Sequence, residues 1–389
     1  RQLRRHGARH QRPRDGHAGE RVAAREGEPM RVLIAGGGTG GHLFPGVAVA
    51  EEFLARDPAT AILFVGTARR METRLIPALG FRLETIEIEG LAGKSLSQIL
   101  KTLLALPRAF LQSIRIVKRF DPSVAVGVGG YAAGPVLCAA RARGVRAAIL
   151  EQNAVPGITN KLLGRVAQRV YLTYASTARF FAARKVRVPG NAIRKDLAAR
   201  AGAPVTRAEG RALLVFGGSL GARAINEGMI AAAPHLARAD RPLEIVHQTG
   251  PDDVERVEAA YRDAGLAAKV LPFIDDMASA YAAADLVIAR AGAGTLAELA
   301  VAARPSILIP LARSAGNHQV MNARETERRG AARVIEEREI DPKALADTIV
   351  SLLADPDARA RMAAAAAAEA RPHAARDIVD DLLQLVEGA

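Results

Sequence analysis

Arg31-Val32-Leu33-Ile34-Ala35-Gly36-Gly37-Gly38-Thr39-Gly40-Gly41-His42 is the stretch on which the fold turns. Arg31–Ala35 shows no apolar–polar alternation, so it reads as a strand covered on both faces, the pattern of a parallel sheet. A glycine turn follows, and Gly46–Arg56 then carries helical spacing. Working outward, Ala61–Val65, Ser123–Val128 and Ala147–Leu150 read as further strands of the same sheet. Pro189, Gly190 and Asn191 punctuate the chain near its middle. A second series then repeats the plan. Ala212–Phe216 is a strand, Gly217–Gly221 a glycine turn and Ala222–His235 a helix. Leu243–His247, Lys269–Leu271, Leu286–Ala289 and Ser306–Ile309 follow as strands.

Strands alternating with longer helical patterns predict an α/β fold. The two matching halves predict two Rossmann-like doubly wound domains facing across a cleft. The expected division is a disordered basic extension over 1–29, a first domain over 30–190, a second over 191–365, and a closing helix over 366–389 that packs back on the first domain. Two domains also suit a length of 389 residues. Hydrophobic residues make up 49% and aromatics only 4%, with no Trp, so both cores must be built from Ala, Val, Ile and Leu. The single Cys138 cannot form an internal disulfide and suits a reducing compartment. No stretch approaches the roughly 18 unbroken apolar residues of a spanning helix. The formal charge of +13 points to anionic partners. Part of it lies in residues 1–29, where eight Arg face four acids.

Glycine between strand and helix lets a phosphate approach the bare amides of the helix start. Gly36, Gly38 and Gly41 satisfy the dinucleotide spacing, yet the second strand ends Gly66-Thr67-Ala68-Arg69-Arg70 with no acid before Glu72. An NAD site wants that acid for the ribose, so the reading falls. Gly93-Lys94-Ser95 lacks the glycine five places earlier that a kinase-type loop needs; Ile88 stands there. Gly217–Gly221 occupies the same structural place in the second half, and two such turns across one cleft suit a diphosphate. Gly127-Val128-Gly129-Gly130-Tyr131 could take an acceptor's phosphate. Glu151-Gln152-Asn153 ends a strand, where open sheets place ligand contacts.

In this order, Gly37–His42 with Pro45-Gly46, Gly127–Pro135, Glu151-Gln152-Asn153, Gly190-Asn191, Gly217–Arg223, Phe273–Met277 and Ala293–Glu298 resemble the peptidoglycan glycosyltransferases of family 28 type. The resemblance covers essentially residues 30–385. It implies the GT-B arrangement and inverting transfer of N-acetylglucosamine from UDP-N-acetylglucosamine to the C4 hydroxyl of undecaprenyl-diphospho-N-acetylmuramyl-pentapeptide. It also implies no cofactor and no obligatory metal. Carried over by position, Thr39, Gly40 and Gly41 line the cleft beside the donor and Asn153 bonds the sugar. Arg194 neutralises donor phosphate, Ser219 contacts the diphosphate and Ile274 sets its backbone against uracil. Ala293, Gly294, Thr295, Leu296, Ala297 and Glu298 surround the nucleotide, with Glu298 on the ribose hydroxyls. Gln319 touches sugar hydroxyls. His318 departs from a Gln pair common in the family, which leaves its role open. Gly129, Gly130 and Tyr131 are assigned to the acceptor diphosphate.

His42 is the expected general base, by its titration range and its place at the end of the first glycine turn. Arg290 is an alternative phosphate partner against ordinary ion pairing. Asp275-Asp276 reads as a helix cap rather than a magnesium site, since no third ligand stands at spacing. Lys94 to Arg119 mixes Lys101, Arg108, Arg115, Lys118 and Arg119 with many Leu and Ile, and Pro107 is expected to split it into two helices. Part of that surface is expected to meet anionic lipid, placing the chain peripherally on the cytoplasmic face of the bacterial inner membrane. A UDP-sugar 2-epimerase is the rival with a similar architecture. Scarce aromatics and the lack of a binding motif weigh against nucleic acid.

Overall fold

The structure is a computed structural model and describes residues 29–38, 40–68, 70–88, 96–199, 210–218, 221–312 and 317–388, side chains at 70, 71 and 96–103 excepted. The first half runs β1 (Arg31–Gly36), α1 (Gly40–Arg56), β2 (Ala61–Gly66), α2 (Arg70–Ala78), β3 (Arg82–Thr85), α3 (Leu96–Phe120), β4 (Val124–Gly129), α4 (Ala133–Ala142), β5 (Arg146–Glu151), α5 (Ile158–Val166), β6 (Arg169–Leu172) and β7 (Val186–Arg187). A short α6 (Lys195–Ala198) leads into the second half. There follow β8 (Ala212–Phe216), α7 (Arg223–Leu236), β9 (Glu244–Gln248), α8 (Val254–Asp263), β10 (Ala268–Leu271), α9 (Met277–Ala283), β11 (Leu286–Ala289), α10 (Ala293–Val301), β12 (Ser306–Leu308), α11 (His318–Arg328) and β13 (Ala332–Val334). Three helices close the chain: α12 (Pro342–Ala354), α13 (Pro356–Ala368) and α14 (Ala374–Glu387).

Both sheets are parallel throughout and doubly wound. The first has the order β3-β2-β1-β4-β5-β6-β7 and the second β10-β9-β8-β11-β12-β13. The winding therefore reverses between β1 and β4 in one lobe and between β8 and β11 in the other. Loops diverge to opposite faces at such points and leave a crevice at the carboxyl ends of the strands. Central strands are apolar on both faces because each face is covered: Val32, Ile34, Val124 and Val126 pack toward α1 and α14, and Leu33, Ala125 and Ile149 toward α3, α4 and α5. In the second lobe α7, α8 and α12 cover one face and α9, α10 and α11 the other.

Three local expectations need correction. Helix α3 runs unbroken through Pro107. A proline removes one backbone bond and crowds the preceding turn, but Ala109, Ile116, Val117 and Phe120 are buried beyond it and hold the helix to the sheet. Helix α1 starts at Gly40 rather than Gly46, and Pro45 lies inside it. The sequence pattern also left out β3, β6, β7 and β13, each of two to four residues. Residues 1–28 of the expected basic extension lie outside the described residues. Among the described residues, no helix is long and apolar enough to cross a membrane.

Candidate active site at the facing switch points

The first and third glycine turns meet at the β1–β4 reversal, backbone against backbone. Gly37 N donates to Gly129 O at 3.3 Å. A Cβ on Gly130 would stand 2.3 Å from Gly37 O, and one on Gly129 would stand 2.6 Å from His42 Cδ2. Gly129 also has φ +98°, a region that side chains rarely adopt. The two glycines thus let the His42 ring, in the first turn of α1, lie directly on the β4 turn. His42 is half-buried. Burial holds its pKa below the ordinary histidine value, the charge of His318 across the cleft adds to this, and a hydrogen bond with the Gly37 backbone opposes it. His42 is therefore a neutral imidazole near pH 7, the form that accepts a proton.

Beneath this turn sits a carboxylate that the sequence reading passed over. Glu72 is fully buried, and its Oε1 accepts from Gly38 N at 2.8 Å and Thr67 Oγ1 at 3.0 Å. The Gly38 amide is thereby engaged within the protein. Gly40 and Gly41 open α1 beside His42, while Thr39 lies outside the described residues. Asn153 is set by Glu151, whose Oε1 accepts from Asn153 N at 2.9 Å and Nδ2 at 3.3 Å, and whose Oε2 accepts from Gly157 N and Asn160 Nδ2. Gln152 Nε2 ties the same segment to Val128 O at 3.1 Å, next to the third glycine turn. Tyr131, half-buried, follows that turn ahead of α4.

In the second lobe Gly217-Gly218 follows β8, and α10 starts after β11, so both lie at the reversal. Gln248 Nε2 donates to Gly218 O at 2.7 Å, which fixes the turn from the end of β9. Asn226 Nδ2 supports the adjoining loop by donating to Thr249 O at 2.9 Å. Ser219 is outside the described residues. Ile274 is buried ahead of α9, and Asp276 caps that helix by accepting from Ser279 N at 2.9 Å. Glu298, two turns into α10, is half-buried and receives Tyr281 Oη–H on its Oε2 at 3.0 Å. Burial raises the Glu298 pKa; the Tyr281 bond and the Arg194 charge pull against that rise, and Asp196 adds to it. Ala293, Leu296 and Ala297 line a cavity of about 110 Å³ shared with Asn191 of the crossover segment and Tyr174, which follows β6 in the first lobe. Gly294 and Thr295 complete the first turns of α10. Gln319 Oε1 accepts from Leu311 N at 3.0 Å. Arg290 is engaged elsewhere: it pairs with Glu337 and donates to Ile309 O, the ordinary pairing weighed against a phosphate role.

The lobes meet around α1. Arg194 lies over the Phe44 ring at 5.7 Å, and Lys195 N donates to Glu51 Oε2 at 3.4 Å. His42, Phe44, Arg194, Glu298 and His318 thus converge on one interlobe region, with Asn153 on the first-lobe rim. Arg194 and Glu298 are placed by resemblance alone; Phe44, Glu72, Gln248 and Tyr281 are not among the residues that the sequence singles out. Among the described residues no group of three His, Cys, Asp or Glu is placed to hold a metal ion.

Comparison with known proteins follows the same two lobes. Residues 32–172 match the glycosyltransferase family 28 N-terminal domain and residues 212–378 the family 28 C-terminal domain. The UDP-N-acetylglucosamine–N-acetylmuramyl-(pentapeptide) pyrophosphoryl-undecaprenol N-acetylglucosamine transferase of Anaeromyxobacter sp. (strain K) is 51% identical over 357 residues, 92% of this chain and 93% of that protein. The like-named transferase of Myxococcus xanthus is 47% identical over 92% of this chain and 93% of its own. The crystal structure of Acinetobacter baumannii MurG superposes with a TM-score of 0.71 at 34% identity, covering 92% of this chain and all of that one. A putative UDP-N-acetylglucosamine 2-epimerase from Listeria monocytogenes, at 15% identity and TM-score 0.66 over 93% of this chain and 98% of its own, shares the fold. With two domain matches in register with the two sheets and half of 357 aligned residues identical to a relative matched over 93% of its length, this chain belongs to glycosyltransferase family 28.

Proposed function

We propose that the chain transfers N-acetylglucosamine from UDP-N-acetylglucosamine to the C4 hydroxyl of undecaprenyl-diphospho-N-acetylmuramyl-pentapeptide, with inversion, giving UDP and the disaccharide-linked lipid of peptidoglycan synthesis. Cell shape and division follow from that process. The observation that carries the chemistry is the His42 imidazole seated on Gly129 in the cleft that Arg194 and Glu298 also face, where burial favours its neutral form.

Inversion needs a base on one face of the sugar and leaving-group stabilisation on the other. His42 takes the proton of the acceptor hydroxyl as its oxygen attacks the anomeric carbon. UDP leaves toward the second lobe, where Arg194, Ser219 and the amides of the second glycine turn receive the diphosphate charge. Ile274 reads uracil through its backbone, and Glu298 accepts from the ribose diol. The first turns of α10, from Ala293 to Ala297, enclose the nucleotide. Asn153 and Gln319 hold sugar hydroxyls, and Thr39, Gly40 and Gly41 close the cleft beside them. Gly129, Gly130 and Tyr131 face the acceptor diphosphate. The lobe boundary is taken at 190/191, with residues 366–389 returning to the first lobe.

An anionic membrane surface is the proposed platform, on the cytoplasmic face of the bacterial inner membrane. Leu104, Leu111, Ile158 and Leu162 are 57–79% exposed on α3 and α5, the two helices that flank α4 on one face of the first sheet. Lys161 and Arg179 stand over the nearby Phe180 ring at 4.9 Å, and Arg108 is largely exposed. Lys94 and the Lys101 side chain lie outside the described residues.

Transfer of labelled sugar from UDP-N-acetylglucosamine to a synthetic short-chain acceptor tests the function. His42→Ala is expected to lower turnover about 10²–10⁴-fold, the usual worth of general-base catalysis, with donor KM little changed. Turnover near that of the parent would remove His42 as the base. Conversion of the donor with no acceptor present would favour epimerisation instead.

A further inference from the structure

The reading of Glu298 as the ribose carboxylate leaves a physical problem. A carboxylate drawn out of water pays for desolvation, and a protonated one could not accept from both ribose hydroxyls. Tyr281 answers it. The tyrosine is fully buried, with its ring edge-on to Phe216 at 5.9 Å, so its Oη has little freedom. That oxygen is 3.0 Å from Glu298 Oε2. Helix α9, which carries Tyr281, is capped by Asp276 and follows directly on Ile274. One rigid hydroxyl therefore joins the segment assigned to uracil with the side chain assigned to ribose.

We propose that Tyr281 is a positioning residue for the donor: its buried hydroxyl holds Glu298 Oε2 so that Oε1 is presented to the ribose diol, coupling recognition of base and sugar. Tyr281 touches no substrate and acts through Glu298. The inference rests on the ribose role of Glu298 and deepens it. Charged groups facing this carboxylate are Arg194 and Asp196, both from the crossover segment and α6. Arg194 pulls the pKa down with Tyr281, and Asp196 pushes it up. Without the phenol, burial acts against a weaker opposition, and Glu298 protonates at higher pH.

Tyr281→Phe keeps the ring against Phe216 and deletes one oxygen. The expected result is a donor KM raised about tenfold, the usual cost of a lost hydrogen bond to a charged group, with kcat within about twofold. The penalty falls on UDP-N-acetylglucosamine but not on its 2′-deoxyribose analogue, because the analogue cannot use the diol. The acid-side loss of UDP binding, read by calorimetry, also moves to higher pH in the variant. Equal penalties on both donors would overturn the proposal, as would an unmoved acid limb or an unchanged KM. Glu298→Gln, alone and combined with Tyr281→Phe, separates the two levels. If Glu298→Gln treats both donors alike, the ribose reading itself fails. If it discriminates between them but Tyr281→Phe does not, or if the two substitutions add independently, only the Tyr281 proposal fails.

Discussion

At the residue scale, His42 and Glu298 titrate in opposite directions for one reason. Burial disfavours whichever form carries charge, so the imidazole is held neutral and the carboxylate is pushed toward protonation. For His42 the consequence is useful, since a base must arrive unprotonated. Its folded pKa lies below the ordinary value of 6.5, so the acid limb of kcat/KM, which reports the free enzyme, should fall below that pH. His318 contributes to the depression through its charge. Replacing His318 with Gln removes that repulsion, raises the His42 pKa and shifts the acid limb upward. A pH–rate profile of both proteins checks this. An acid limb above 6.5 in the parent, or one that His318→Gln leaves in place, would disconnect His42 from the rate. Glu72 shows why such residues escape a reading of the sequence alone: its partner Gly38 is 34 positions away, and nothing local joins them. Tyr281 and Gln248 are hidden in the same way, each meeting its partner only once the elements of the second lobe have packed.

At the scale of elements, α3 and α5 carry too many apolar residues for the one face each can bury. On α5, Leu163 is buried against the sheet while Ile158, Leu162 and Val166 recur every four residues on the exposed side. That stripe has no partner within the described residues, and Lys161 lies inside it. Water alone would not favour the arrangement, whereas a headgroup region receives both the apolar stripe and the cation. Replacing Ile158 and Leu162 together with Ser should weaken sedimentation with anionic vesicles by about tenfold or more, since each side chain is worth roughly 1.5–3 kcal/mol on full burial. Turnover on a water-soluble short-chain acceptor should persist. Undiminished vesicle binding would move the membrane contact elsewhere. Strands β1, β4 and β8 were legible because their runs are apolar and end in glycine or lead straight into it. Strands β6, β7 and β13 were not, because each is a run of two to four residues that includes an arginine and leads into no glycine turn. The start of α1 was hidden because its first turn is glycine, the weakest helix former after proline, and is held by the β4 turn instead.

At the scale of the whole molecule, the chain crosses between lobes twice, and the crossings touch. A Cβ on Gly190, at φ +99°, would lie 2.6 Å from Arg371 Cβ, so the outgoing and returning segments are packed at van der Waals limits. Beyond Arg371 the last helix completes the first lobe: Ile378, Val379, Leu382 and Val386 enter the core that contains β1, β4 and α1. Asp381 then accepts from Arg169 Nε at 2.8 Å and Tyr171 Oη at 2.7 Å, and Asp380 pairs with Arg56 at the end of α1. The same α1 carries His42 at its other end, so the C-terminus braces the element that presents the proposed base. Leu382 is fully buried there. Leu382→Ala should cost about 2–5 kcal/mol, as other buried leucines do, and the loss should fall on the first lobe although the residue lies at the end of the second lobe's sequence. Calorimetry with and without UDP locates it. A ligand stabilises only the unit that binds it, and the nucleotide is assigned to the second lobe. The transition lowered by Leu382→Ala should therefore be the one that UDP leaves nearly unmoved. A single transition lowered by the substitution and raised by UDP in equal measure would mean that the lobes unfold as one unit, and that α14 braces the whole molecule rather than its first lobe.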